Sequence, residues 1–269
     1  MTSIINERQR YYSVGVLYGV LLVAAFLNAI FPDIVDAVEK NGALSALLSG
    51  GGVDPVLIFA LLVLARVFVD ESAQLTGREA VVAVLVTALI YVPIPWFSWL
   101  AVTLIGLRTL LWGRRDVGWL CIYLAFPKFW GLIPLKFIGV SILGIDAYIV
   151  SFLTGYEVQG NMLIPPDGST PLTVLWGCSS FHGISYSILA WLAFAVVGGR
   201  KAASNLHWLA FGIAGVIAIN LLRLTLMTVF DPYYEYLHIG TGAQITSLVL
   251  FLWMVAIPFL GQKTSVKYV

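Results

Sequence analysis

Apolar residues in this chain fall in long runs, and polar residues, glycine and proline collect between them. The runs predict helices at about 13–31, 55–69, 80–91, 96–112, 117–133, 181–197, 206–230 and 243–260. Several approach the roughly 17–25 residues that a helix needs to cross the hydrocarbon core. The first follows Arg8 and Arg10, but it is too long for a signal peptide and lacks a small-residue cleavage site, so it reads as a retained span. Residues 32–53 are more polar, with Asp33, Asp36 and Glu39 against Lys40 and a turn at Gly50-Gly51-Gly52. Pro93 and Pro95 mark a tight turn, and Arg114-Arg115-Asp116 closes the fourth run. The chain shows no internal repeat and no low-complexity linker.

Residues 136–154 are apolar enough to cross, but Lys136 and Asp146 bracket a short run, and we read the segment as amphipathic and lying on the outer surface. The stretches 156–164 and 171–175, split by Pro165-Pro166-Asp167-Gly168, predict a hairpin-like loop at the membrane surface. The expected fold is therefore an all-α polytopic membrane protein of about eight transmembrane helices. It forms one integral membrane domain over 1–269, with N-terminal helices in 1–135, an outer-surface segment in 136–175 and site-bearing helices in 176–260.

Composition agrees. The chain has 269 residues, 60% hydrophobic and 11% charged, with a mean hydropathy of +0.93, whereas soluble domains carry about 25% charged residues. A membrane β-barrel would show alternating segments of about ten residues, which these continuous runs do not. A net charge of +1 gives no sign of a nucleic-acid partner. Lys and Arg accumulate on the cytoplasmic side. An inside N-terminus puts Arg8, Arg10, Arg66, Arg78, Arg108, Arg114, Arg115, Arg200, Lys201, Lys263 and Lys267 at or near that side. Both termini then lie inside, and Cys178, Arg223 and His238 fall towards the outer face of the cytoplasmic membrane.

Those three residues carry the candidate chemistry. A thiol becomes a useful nucleophile as thiolate, and its pKa falls beside an arginine, a histidinium or a helix N-terminus. Cys178 precedes the helix expected near Phe181, and Ser179 and Ser180 suit an N-cap there. His238 precedes the last run and is placed to act as base towards the thiol and acid towards a leaving amine. Arg223 sits near the outer end of its run, where a charge needs a reason. It suits a substrate carboxylate, an oxyanion or the thiolate. Asn220, three residues earlier on the same face, is placed to orient one of these groups.

Each residue has an ordinary reading too. Arginine at a helix end snorkels to headgroups, His238 stands among interfacial tyrosines, and a buried cysteine packs as a small hydrophobe, the reading we give Cys121. His207 lies near a basic turn and reads as structural. His182 stands four residues after Cys178, and with His238 the two would make a Cys/His₂ cluster suited to zinc or copper. A metal- or haem-handling membrane protein is thus one alternative, and a non-catalytic transporter or assembly factor another.

Cys178-Ser179 opening a helix, Asn220-x-x-Arg223 near the end of the next and His238 before the last run resemble the exosortase/archaeosortase family. Ile133-Pro134-Leu135 and Gly155-Tyr156-Glu157-Val158 are also similar, and the resemblance covers about 117–260. It implies a membrane cysteine transpeptidase or protease acting on exported proteins. These end in a sorting tail made of a short motif, a transmembrane helix and a basic end. Carried over, Cys178 is the nucleophile, His238 the proton carrier and Arg223 the charge stabiliser, with no dissociable cofactor. Family members commonly carry Cys-Ser-Gly, whereas here Ser180 follows Ser179 and the next glycine is Gly183.

Overall fold

In hydrocarbon every backbone N–H and C=O must pair within its own segment or a closed barrel, and the apolar runs form helices. A computed structural model describes residues 14–43, 53–71, 75–167 and 171–263. Arg8, Arg10, Lys267, the Gly50-Gly51-Gly52 turn and Gly168 lie outside the described residues. The chain forms two compact units, Met1–Phe129 and Trp130–Val269.

The first unit holds α1 (Val14–Asn41), α2 (Pro55–Val69), α3 (Gly77–Tyr91), α4 (Pro95–Leu111) and α5 (Arg115–Leu124). Helix α4 packs against α1, α3 and α5. Local chemistry sets the helix starts. Asp54 caps α2 by accepting the Val56 N–H at 2.8 Å, with Pro55 in the first turn. Thr76 caps α3 through the Glu79 N–H. A buried ionic knot ties α1, α3 and α4 together. Glu79, 3% exposed, accepts from Tyr18 Oη at 2.8 Å and Trp112 Nε1 at 3.1 Å, and pairs with the Arg108 guanidinium. With that many partners the carboxylate's desolvation is offset.

The second unit opens with α6 (Leu132–Thr154), which kinks at Ile138 and ends on Gly155 at φ +75°. A three-stranded antiparallel sheet follows: β1 (Glu157–Gln159), β2 (Met162–Ile164) and β3 (Leu172–Thr173). Glu157 faces Ile164 across the first pair, and Leu163 faces Leu172 across the second. Then come α7 (Ser180–Val197), α8 (Leu206–Val229), the short α9 (Tyr234–His238) and α10 (Thr241–Lys263). Helix α8 packs against α6, α7 and α10. The pairing expected between 156–164 and 171–175 is therefore present as β2 and β3. The tighter β1–β2 hairpin through Gly160-Asn161 is an addition.

Five described helices are long and apolar enough to cross a membrane: Val14–Lys40, Leu132–Thr154, Ser180–Val197, Leu206–Val229 and Tyr234–Gly261. The protein is thus a predominantly helical, membrane-associated one, and five rather than eight helices meet both requirements. Helices α2 and α4 are apolar but only 15 and 17 residues long, which at about 1.5 Å per residue falls short of roughly 30 Å. The run at 117–133 is divided. It forms the ten-residue α5 and a π-helical turn, Phe126–Trp130, where the Lys128 ammonium pairs with Asp33 at 2.9 Å. Conversely, 136–154 lies within the apolar helix α6, which is kinked at Ile138. Asp146 does not interrupt it, because its carboxylate is buried against a donor described below.

Candidate functional site at the start of helix α7

Trp176-Gly177-Cys178 makes one 3₁₀ turn, and Ser179 is extended at φ −85° and ψ 146°. Ser179 is the N-cap of α7, its side chain accepting the Phe181 N–H at 3.1 Å. The turn is gripped from two other helices. Asp146 on α6, 2% exposed, accepts the Ser180 N–H through Oδ2 at 2.7 Å. Asn220 on α8 donates from Nδ2 to the Cys178 carbonyl at 2.8 Å and to Ser180 Oγ at 3.3 Å. Orphan N–H groups at a helix start favour a carboxylate both as acceptor and as charge. Cys178 itself is half-buried and packs against an apolar cluster that includes Leu163, Leu172, Leu224 and Met227.

Arg223 lies one turn beyond Asn220 on α8. Its Nε donates to the Leu237 carbonyl at 3.1 Å and its Nη2 to the His238 carbonyl at 3.0 Å. Those are the last carbonyls of α9, where a cation is electrostatically favoured. The His238 ring rests on Tyr234, with centroids 5.0 Å apart. Arg223 therefore fixes His238 through its main chain. Among the described residues no hydrogen bond joins the Cys178 thiol to the His238 imidazole.

Burial pushes the Cys178 thiol above its ordinary pKa, and the Arg223 guanidinium draws it part of the way back. At neutral pH the resting group is a thiol, and its activation as a nucleophile would need a base.

The structure brings Cys178, Ser179, Asn220, Arg223 and His238 to one end of the second unit, where α7 begins, α8 ends and α10 begins. It does not bring His182 into that group. Cys178 lies before the helix, so the expected four-residue helical face does not form. The His182 ring instead sits edge-on to Trp176 and Tyr186, with centroids 5.5 and 4.8 Å apart. Among the described residues no group of three His, Cys, Asp or Glu is gathered as a metal would need. Cys121 is fully buried, and the His207 ring lies 6.1 Å from Trp208.

Gly183 has a packing reason. A Cβ there would stand 2.5 Å from Val216 Cγ1 on α8, so this glycine brings α7 and α8 into contact. Asp146 was missed as a site residue. A lone carboxylate inside an apolar run was the available signal. Comparison with protein-family models, curated proteins and solved structures finds no match.

Proposed function

We propose that this protein is a membrane-embedded cysteine transpeptidase or protease of the exosortase/archaeosortase type, acting on C-terminal sorting tails of exported proteins. One observation carries the reading: Cys178, Arg223 and His238 come to one end of one unit, with the Cys178 backbone pinned by Asn220 at 2.8 Å. In this reading Cys178 Sγ attacks the scissile carbonyl carbon, its proton passing to His238. The C–N bond then breaks as His238 returns the proton to the leaving amine, which leaves a thioester. Water or an amine next attacks the thioester carbon, giving up a proton to His238, and the C–S bond breaks as Cys178 leaves and takes that proton back as the thiol. Arg223 stabilises negative charge on the thiolate or the carbonyl oxygen.

The topology that goes with this reading has eight crossings, both termini inside and the site at the outer face. Helix α6, long enough to cross, competes with the shorter helices for a place among them. Labelling single cysteines placed at Phe137 and Phe152 from either side of the membrane decides whether α6 crosses or lies flat.

The function is tested by co-expressing a tagged candidate tail protein with wild type, Cys178→Ala, Arg223→Ala, His238→Ala and His182→Ala, each checked for expression. Processing should be lost in the first three variants and kept in His182→Ala. Full processing by Cys178→Ala would sink the proposal.

A further inference from the structure

The second unit contains a cavity of about 490 Å³, within the range of ligand sites. Tyr156, Leu172, Met227 and Tyr234 form part of its wall, and Asp167 and Glu235, both exposed, add two carboxylates. None of the described lining residues is Lys, Arg or His. The wall is braced, because Tyr156 donates from Oη to the Thr228 carbonyl at 2.7 Å. It is also shared with the candidate site. Tyr234 lines the cavity, carries the His238 ring on its face, and packs with Cys178 against one apolar cluster that includes Leu172 and Met227.

A hollow whose lining is part polar and part apolar, with two carboxylates on it, suits an aliphatic chain that ends in a cation. Its methylenes would lie against apolar side chains such as Leu172 and Met227, and the carboxylates would hold the charge. We infer that this cavity is a subsite for an aliphatic ammonium or guanidinium group, supplied either by a Lys or Arg of the peptide being cut or by an amine acceptor. The inference rests on the transpeptidase reading for what brings the group there. Its charge selectivity does not.

The test uses the full chain in detergent with Cys178→Ala, so that no catalysis is involved, and Val229→Cys as a reporter in the cavity wall. Cys121 is fully buried, and Cys178→Ala alone gives the background. Labelling rates are compared for the cationic trimethylammonium-ethyl and the anionic sulfonatoethyl methanethiosulfonates, with glutathione as reference. The cation-to-anion ratio should exceed that of glutathione by about fivefold or more, and Asp167→Asn with Glu235→Gln should return it to the reference. A ratio equal to that of glutathione, or one unmoved by the neutral pair, overturns the inference.

Protection by N-acetyl-lysine methylamide, n-butylamine and N-acetyl-norleucine methylamide identifies the source. Protection by the lysine derivative alone points to the peptide, and protection by butylamine as well points to an amine acceptor. Equal protection by the norleucine derivative, or protection by none, overturns the inference. Because labelling needs no turnover, a failed processing assay and a failed labelling test are separate results.

Discussion

Asn220 donates to the main-chain carbonyl of Cys178 at 2.8 Å across 42 positions of sequence. The bond joins α8 to the turn that presents the thiol, and Asn220 is 5% exposed, so water does not replace it. A carbonyl withdrawn from water and left without its donor costs about 1–3 kcal/mol, with the lower end expected for this part-buried one. Asn220→Ala should therefore lower stability by about that much in thermal unfolding of the purified protein. It should also speed alkylation of Cys178 as the turn loosens. Unchanged stability together with unchanged alkylation would show that the bond does not hold the turn.

The pH dependence of Cys178 reactivity follows from its surroundings. Burial raises the thiol pKa and Arg223 opposes that rise. Alkylation by a neutral reagent should then increase through alkaline pH, since only the thiolate reacts. Arg223→Gln removes the opposing charge, so its profile should move further towards alkaline pH. A profile that stays put or moves towards acid would show that the guanidinium does not act on the thiol.

Asp146 separates hydrogen bonding from charge. Its Oδ2 accepts the Ser180 N–H at 2.7 Å. Asp146→Asn keeps an acceptor oxygen and should cost no more than about 1 kcal/mol, the scale of a charge at a helix start. Asp146→Ala leaves that N–H unpaired and should cost about 1–3 kcal/mol. Equal losses in the two variants would mean that charge, not the acceptor, matters.

The contact between α7 and α8 at Gly183 gives a test by compensation. Gly183→Ala sets a methyl 2.5 Å from Val216 Cγ1, and overpacking of this kind costs about 1–3 kcal/mol. Val216→Ala in the same chain removes the clashing methyl groups, so part of the loss should return. A double variant no better than Gly183→Ala would place the strain elsewhere.

In the first unit, Glu79→Leu leaves Arg108 without the carboxylate that holds it, at a cost of about 3 kcal/mol. Glu79→Leu with Arg108→Met should recover much of the loss, since no charge then remains buried. Unfolding midpoints of the three proteins decide it.

How much of this was legible in the sequence depends on the reach of each interaction. The apolar runs located the main helices of the second unit, and Ser179 read correctly as the cap of α7, because capping is local. Cys178, Asn220, Arg223 and His238 could be placed at one end by counting antiparallel helices. Their actual bonds could not be read. Arg223 reaches carbonyls 14 and 15 positions away, and nothing in the residue types at 237 and 238 announces that. The same holds for Asp146 and Ser180, 34 positions apart. Segment 136–154 looked short because Lys136 and Asp146 bracket its apolar run, whereas the fold buries Asp146 and α6 runs on past it from the kink at Ile138 to Thr154. The spacing of Cys178 and His182 left open whether the two share a face, and the structure decides it, because Ser179 is extended and the helix begins at Ser180, where the sequence placed its start.

The grip on this site is almost all side chain to main chain: Asp146 to the Ser180 N–H, Asn220 to the Cys178 carbonyl, Arg223 to the carbonyls of Leu237 and His238, Tyr156 to that of Thr228. Such bonds do not read the side chain of the residue they hold. Substitution should therefore be tolerated very unevenly, even between two residues joined by one bond. In a saturation screen Leu237 should accept other apolar side chains that keep its packing against the cluster around Leu224 and Met227, while Arg223 should reject even lysine, whose single ammonium cannot span two carbonyls as the planar fork does.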